Sequence, residues 1–184
     1  MERHIHIIHL PDRKDRLEKL SGQLIEQNIT GCIWPGIPDT QNPKRGIAKA
    51  HKQIVQYAKD QNLTTITIVE DDIRFTAPGA FTFFLNHIPE SYDLYLGGVY
   101  YGKIKANNAV EDFAGLMLYR IHQRFYDTFL SLPEESDIDR ELAGKGLFYV
   151  CNPFIALQHD GYSDNNKKFM NYDCYLKDVE LFQG

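Results

Sequence analysis

Cysteine is scarce in this chain. Cys32, Cys151 and Cys174 form an odd set of three whose spacing matches neither a disulfide framework nor a zinc motif. Cys32 and Cys151 sit in apolar runs and read as buried, reduced thiols, which points to a reducing compartment. Long apolar sequence is also missing: no segment approaches the ~18 residues of a membrane helix. Met1-Glu2-Arg3-His4 and the short alternating run after it lack the features of a secretory leader. The expected location is cytoplasmic, with at most peripheral association at the inner face of a membrane. Basic sequence is thin as well. Net charge is −5, and the densest basic group, Arg13, Lys14 and Arg16, is interleaved with Asp12 and Asp15. A nucleic-acid binder needs a basic face to displace condensed counterions, so that class is disfavoured. A local basic pocket for one small anion is not.

What remains is the composition of an ordinary globular domain. Hydrophobic residues make up 43% of the 184 positions. That length suits one domain, which buries about 70% of its unfolded surface. Residues 4 to 10 read as a strand ended by Pro11. Apolar residues at helical spacing follow from Arg16 to Ile25. A short strand covers 31–34, a Pro/Gly loop 35–43, and a helix 46–61. Thr64 to Val69 is β-branched almost throughout, which favours a strand. A helix over 78–87 and a strand over 92–96 come next. Strands alternating with helices imply an α/β fold with a mainly parallel sheet covered by helices on both faces. The second half reads less regularly: a strand over 113–121, a helix over 122–131, a short helix over 137–143, and an apolar strand-like stretch over 147–157. From Asp160 onward the chain reads as a polar, mobile tail. Leu181-Phe182-Gln183-Gly184 resembles part of a protease-cleavage scar and is set aside.

The sharpest chemical signal is Glu70-Asp71-Asp72, three carboxylates where an apolar strand stops. Open parallel sheets bind ligands at the carboxyl ends of their strands. Adjacent carboxylates repel, and burying them costs free energy unless a cation or hydrogen bonds compensate. Hard oxygen donors suit Mg²⁺ or Mn²⁺, which commonly share a few carboxylates with substrate phosphates. The competing reading is a solvated turn with helix-capping acids. Arg13 and Arg16 follow the first strand, and Arg matches phosphate in a forked geometry; a solvated helix start capped by Asp12 is the alternative. His51 is placed one turn into a helix whose N-terminus favours anions. Asp139, in Asp137-Ile138-Asp139-Arg140, offers a carboxylate base, or a helix cap after Pro133. His159, closing an apolar stretch, offers a neutral imidazole ligand; a surface histidine is the commoner outcome for such a residue.

In order, these segments resemble glycosyltransferase family 25, the lipooligosaccharide and collagen-type galactosyltransferases, over about residues 4–165. His9-Leu10-Pro11-Asp12-Arg13-Lys14-Asp15-Arg16 is similar to the family's opening Asn-Leu, Arg-rich turn. Gly46-Ile47-Ala48-Lys49-Ala50-His51 is similar to its Gly-Cys-Ala-Leu-Ser-His helix start, and Ile68-Val69-Glu70-Asp71-Asp72 to its Leu-Glu-Asp-Asp motif. Tyr92 to Gly97 follows at the family's distance. Gly115 to Ile121 resembles its Gly-x-x-x-Tyr-x-Ile segment, Asp139 falls at its Pro-Val-Asp, and Gln158 with Ser163-Asp164 at its closing Gln and Ser-Asp. His9 departs from the usual Asn, and the helix start lacks its Cys and Ser.

The resemblance implies a single GT-A (Rossmann-like) domain over 1–165 and a tail over 166–184. It implies inverting transfer of galactose or a related hexose from a UDP-sugar to an oligosaccharide or glycolipid acceptor such as lipooligosaccharide. Mn²⁺ or Mg²⁺ is implied at the acidic motif, held by Asp72 with His159. Leu10, Arg13, Arg16, His51, Glu70 and Asp71 are expected to hold the donor, and Asp139 to act as base. Two rivals stay open. One is metal-dependent phosphoryl transfer, although an Asp nucleophile motif followed by Thr and Lys is not found. The other is a catalytically inactive sugar- or nucleotide-binding module. Tyr92, Tyr95, Tyr100, Tyr101 and Tyr119 would suit its stacking surfaces, but an ordinary core is the better explanation for most of them.

Overall fold

The structure, a computed structural model, describes residues 3–163, 165–172 and 179–184. The expected alternation runs through the first half: β1 (His4–His9), α1 (Lys14–Glu26), β2 (Thr30–Pro35), α2 (Pro43–Asp60) and β3 (Thr65–Glu70). Then come β4 (Ile73–Phe75), α3 (Ala80–Asn86), β5 (Leu94–Leu96), β6 (Tyr101–Ile104), β7 (Val110–Ala114) and β8 (Leu118–His122). After a 3₁₀ turn the chain makes α4 (Tyr126–Leu130), α5 (Ile138–Glu141), β9 (Phe148–Val150), β10 (Ala156–Gln158), β11 (Gly161–Ser163) and β12 (Lys168–Met170).

Six strands form the central sheet in the order β2-β1-β3-β8-β5-β9. All pairings are parallel except those of β8, which runs against both neighbours. Helices cover both faces, as the alternation implies. Leu20 of α1 and Ala80, Phe81 and Phe84 of α3 pack with Ile5, Ile7 and Val69 on one side. Ala48, Ile54, Val55 and Ala58 of α2, with Phe129 of α4, pack on Ile66, Ile68 and Tyr119 on the other. In α2 the apolar residues recur at 48, 54, 55 and 58, one helical stripe, and each is fully buried. No helix among the described residues is long and apolar enough to cross a membrane.

The second half departs from the reading by period. The strand expected over 113–121 is two strands, broken at Gly115, whose φ of +110° lies in the region that favours glycine. β7 pairs with β6 in a hairpin apart from the main sheet, while β8 enters its centre. The apolar stretch over 147–157 likewise splits. β9 joins the sheet edge, and β10 pairs antiparallel with β4 immediately after the acidic triplet. Apolar sequence hides such breaks because buried residues of both strands, such as Phe113 and Leu118 or Val150 and Ala156, stand on either side of each one. Where a polar tail was expected, β11 and β12 form an antiparallel hairpin. The last residues are not inert either. Phe182 N donates to Phe154 O at 2.9 Å, and its ring lies 4.9 Å from that of Phe83. Met1, Glu2, Asp164, Cys174 and the rest of the expected tail over 173–178 lie outside the described residues. Cys151 is buried as expected, but Cys32 is only partly so, because β2 is an edge strand.

α2 begins at Pro43, three residues before Gly46. Gly46 is therefore not a helix start. A Cβ there would sit 2.1 Å from the Ile37 carbonyl, so glycine is needed for the close approach of helix and loop. Gly46→Ala must displace that loop. We expect a loss of about 1–3 kcal/mol, as for other overpacked sites, read as a lower urea midpoint at unchanged slope.

Candidate active site

The parallel strands β1 and β3 end side by side, with Ile8 opposite Glu70. Their carboxyl ends open into a cleft of about 510 Å³. Leu10, Ile37, Pro38, Ile47 and Ala50 give it apolar walls; Arg13, Arg16, His51, Glu70, Asp71 and Asp72 give it charge and hydrogen-bonding groups. Of the nine site residues singled out from sequence, seven thus come to one place, and Asp139 and His159 are outside its lining.

The three acids have different fates. Asp71 is saturated by protein donors: His9 Nδ1 at 2.7 Å and Leu10 N at 3.2 Å on Oδ2, and Arg16 Nη1 at 3.1 Å on Oδ1. Expected to touch a ligand, it instead holds the β1–α1 turn against the end of β3. His9 is part of that clasp. Glu70 is a quarter exposed in its side chain and faces the cleft. His51 Nε2 lies 3.2 Å from Glu70 Oε1, and its Nδ1 lies 3.0 Å from the Tyr119 hydroxyl. Since Glu70 accepts, Nε2 carries the proton and Nδ1 accepts from Tyr119. His51 is two turns into α2, not one, and is 1% exposed. It orients Glu70 from within the core, far from any helix end.

Asp72 is the unusual member. Its Oδ2 receives Arg16 Nη1 at 2.9 Å and Gln158 Nε2 at 3.0 Å. Its Oδ1 is buried and has no hydrogen-bond partner among the described residues. Burial pushes the carboxyl up to about 7; Glu70's charge adds to this, while Arg16 and Gln158 oppose it. An orphaned buried carboxylate oxygen beside a second acid fits a divalent cation, which commonly takes one or two protein carboxylates and completes its shell with phosphate and water. His159 fits less well as a co-ligand. Its backbone N donates to Asp72 O at 2.7 Å and its ring Nε2 lies 3.5 Å from Gln23 Nε2, while His159 and Asp72 both border a second cavity of about 250 Å³. Among the described residues no three-donor cluster includes Asp72. Burial, with Lys19 and Arg74 nearby, lowers the His159 pKa.

Arg16 reaches both Asp71 and Asp72, and the Tyr162 carbonyl accepts from Arg16 Nη2 at 3.1 Å. Arg13 is held by Asp15 at 3.1 Å and approaches the same carbonyl at 3.4 Å. The β11–β12 hairpin therefore roofs the cleft through Tyr162, Ser163, Asn165 and Lys167. Sequence reasoning missed this roof because polar residues carry no periodic signal. Gln158 was legible only through the family motif; β10 pairing with β4 is what delivers it to Asp72.

No protein-family model and no curated protein matches this chain. Solved structures do. A197 from STIV superposes with a TM-score of 0.60 at 14% identity, covering 92% of this chain and 93% of that one. The inositol-1-phosphate CTP transferase from T. maritima superposes with a TM-score of 0.53 at 13% identity, covering 96% of this chain and 78% of that one. This chain shares their fold.

Asp139 sits apart from the cleft wall. Its Oδ2 accepts from Gly115 N at 2.9 Å and its Oδ1 from Arg140 N at 2.8 Å, and burial raises its pKa. Tyr100 is raised in turn by its own burial and then by the charges of Asp139, Glu70 and Tyr172. These groups share one neighbourhood on the Tyr100 side of Glu70.

Proposed function

We propose that this chain is a metal-dependent, inverting glycosyltransferase of the family 25 type, using a UDP-sugar donor and a glycan acceptor such as lipooligosaccharide. The observation that carries the reading is the partnerless buried Oδ1 of Asp72, beside Glu70 and Arg16, at the mouth of an apolar-walled cleft on the sheet's carboxyl edge.

In this reading Leu10, Ile37 and Ile47 enclose the base, and Arg13 and Arg16 face the diphosphate. Glu70, oriented by His51, accepts hydrogen bonds from donor hydroxyls. Asp72 would hold Mn²⁺ or Mg²⁺, which when bound supplies positive charge against the departing diphosphate. Asp139 accepts the acceptor hydroxyl's proton. Its raised pKa suits a general base, and its place beyond Glu70 separates the acceptor from the donor cleft. Attack on the anomeric carbon forms the new glycosidic bond as the bond to the diphosphate oxygen breaks, with inversion.

The test is a panel of nucleotide sugars, with and without Mn²⁺. We expect one UDP-sugar to raise the melting temperature only with the metal, and UDP release that a chelator stops. Metal-assisted donor binding without release, across varied acceptors, would instead identify a binding module.

A further inference from the structure

A second cluster lies on the opposite side of β1 from Leu20. Along β1, His4, His6 and Ile8 face one way and Ile5 and Ile7 the other. The parallel register sets His4 beside Thr30, His6 beside Cys32 and Ile8 beside Trp34. Strand alternation thus gathers His4, His6, Cys32 and Trp34 on one face at the sheet's edge, under Tyr57 of α2. The rings of His6, Trp34 and Tyr57 lie 5.2–5.9 Å apart.

The donor atoms of His4, His6 and Cys32 all lie within 4.8 Å of one another, with Cys32 Sγ 3.1 Å from His6 Nδ1. In a tetrahedral zinc site, nitrogen and thiolate donors sit about 3.3–3.8 Å apart, given bond lengths of about 2.0–2.3 Å. Its outer partners are also in place. Trp34 Nε1 donates toward Cys32 Sγ at 3.2 Å, and Thr30 Oγ1 lies 3.2 Å from His4 Nδ1; the indole's 2.9 Å bond to His6 Nδ1 occupies that nitrogen's lone pair and gives way when an ion takes it. An indole N–H aimed at sulfur is the kind of outer contact that steadies a metal-bound thiolate.

We propose that His4, His6 and Cys32 form a zinc site of two imidazoles and one thiolate, clipping edge strand β2 to β1. Its soft donors set it apart from the all-oxygen chemistry at Asp72, and it does not depend on the sugar-transfer reading. On binding, the Cys32 S–H bond breaks, a sulfur–metal bond forms and the proton leaves to solvent, so affinity rises with pH. The fourth position is left to water.

Trp34 is the sole tryptophan of the chain, so the site carries its own reporter. Full-length protein, stripped with chelator and kept reduced, is titrated with Co²⁺ and then Zn²⁺. We expect one equivalent of Co²⁺ to give a near-ultraviolet sulfur-to-cobalt band that Zn²⁺ displaces, with a saturable change in Trp34 emission and a higher melting temperature. Cys32→Ser removes the band while leaving UDP release unchanged. Trp34→Phe keeps the band but weakens Zn²⁺ in chelator competition by about 10–100-fold. Should Cys32→Ser fail to fold, His4→Gln, at the exposed end of the group, decides the matter by the same measure. No sulfur-to-cobalt band, a band that survives Cys32→Ser, or Zn²⁺ affinity indifferent to His4→Gln overturns the proposal.

Discussion

Asp72→Asn will give a protein that is more stable than the wild type above pH 7 and inactive. In the metal-free fold the Asp72 carboxyl is pushed from its ordinary 3.8 to about 7, chiefly by burial. A carboxyl shifted upward binds more protons folded than unfolded between those two values. Stability therefore falls as pH rises through that window and stays reduced above it. At roughly 1.4 kcal/mol per pKa unit the cost is on the order of a few kcal/mol. Asparagine keeps the shape and removes the slope. The melting temperatures of the two proteins should converge near pH 4 and separate by pH 8, with the variant higher. Mn²⁺ should raise the wild type at pH 8 and leave the variant alone. UDP release should drop by about 10²–10³-fold or more, the size of losing one electrostatic contact at a developing charge. A variant that is no more stable at pH 8 and still turns over would refute both the strain and the role assigned to Asp72.

Arg16→Ala is expected to have the largest effect on folding. One guanidinium reaches Asp71 Oδ1, Asp72 Oδ2 and the Tyr162 carbonyl. The two carboxylates are 5% and 12% exposed in their side chains, so its loss strands buried negative charge. Breaking such a pair from one side costs about 3–5 kcal/mol. Asp72 can answer by taking up a proton, so urea unfolding should show a larger loss at pH 8 than at pH 5. Arg16→Lys should restore only part of it, since a single ammonium cannot span three acceptors as a planar fork does. Adding Asp72→Asn to Arg16→Ala should recover stability beyond additivity, because the two sites share one charge pair. Additive losses would mean that Arg16 acts through packing alone.

Much of the site was legible because its residues sit at strand ends. The β-branched run of β3 stops at Glu70, and the turn after β1 carries Arg13 and Arg16. In a parallel sheet these two ends share one edge, and the pairing of β1 with β3 sets them side by side. The roles inside the triplet were not legible. Nothing in Glu70-Asp71-Asp72 says that Asp71 would be consumed by His9 and Leu10, or that Asp72 would keep one oxygen bare. Those outcomes depend on which donors other segments deliver. His51 shows the same limit. Sequence reasoning set it one turn into a helix whose N-terminus favours anions, whereas α2 starts earlier and His51 contacts Tyr119 and Glu70.

By itself, then, the sequence determined the alternating α/β layers, the apolar stripes of α1 and α2, and the carboxyl edge on which charge collects, because those follow from local period and strand direction. Only the tertiary structure decided that β8 would run backwards through the sheet's centre, that β10 would bring Gln158 to Asp72, and that the residues after Asp160 would roof the cleft. It also decided that His4, His6 and Cys32 would meet. Each of these rests on pairing between segments far apart in the chain, and pairing register is set by the packing of the whole, not by any one segment's pattern.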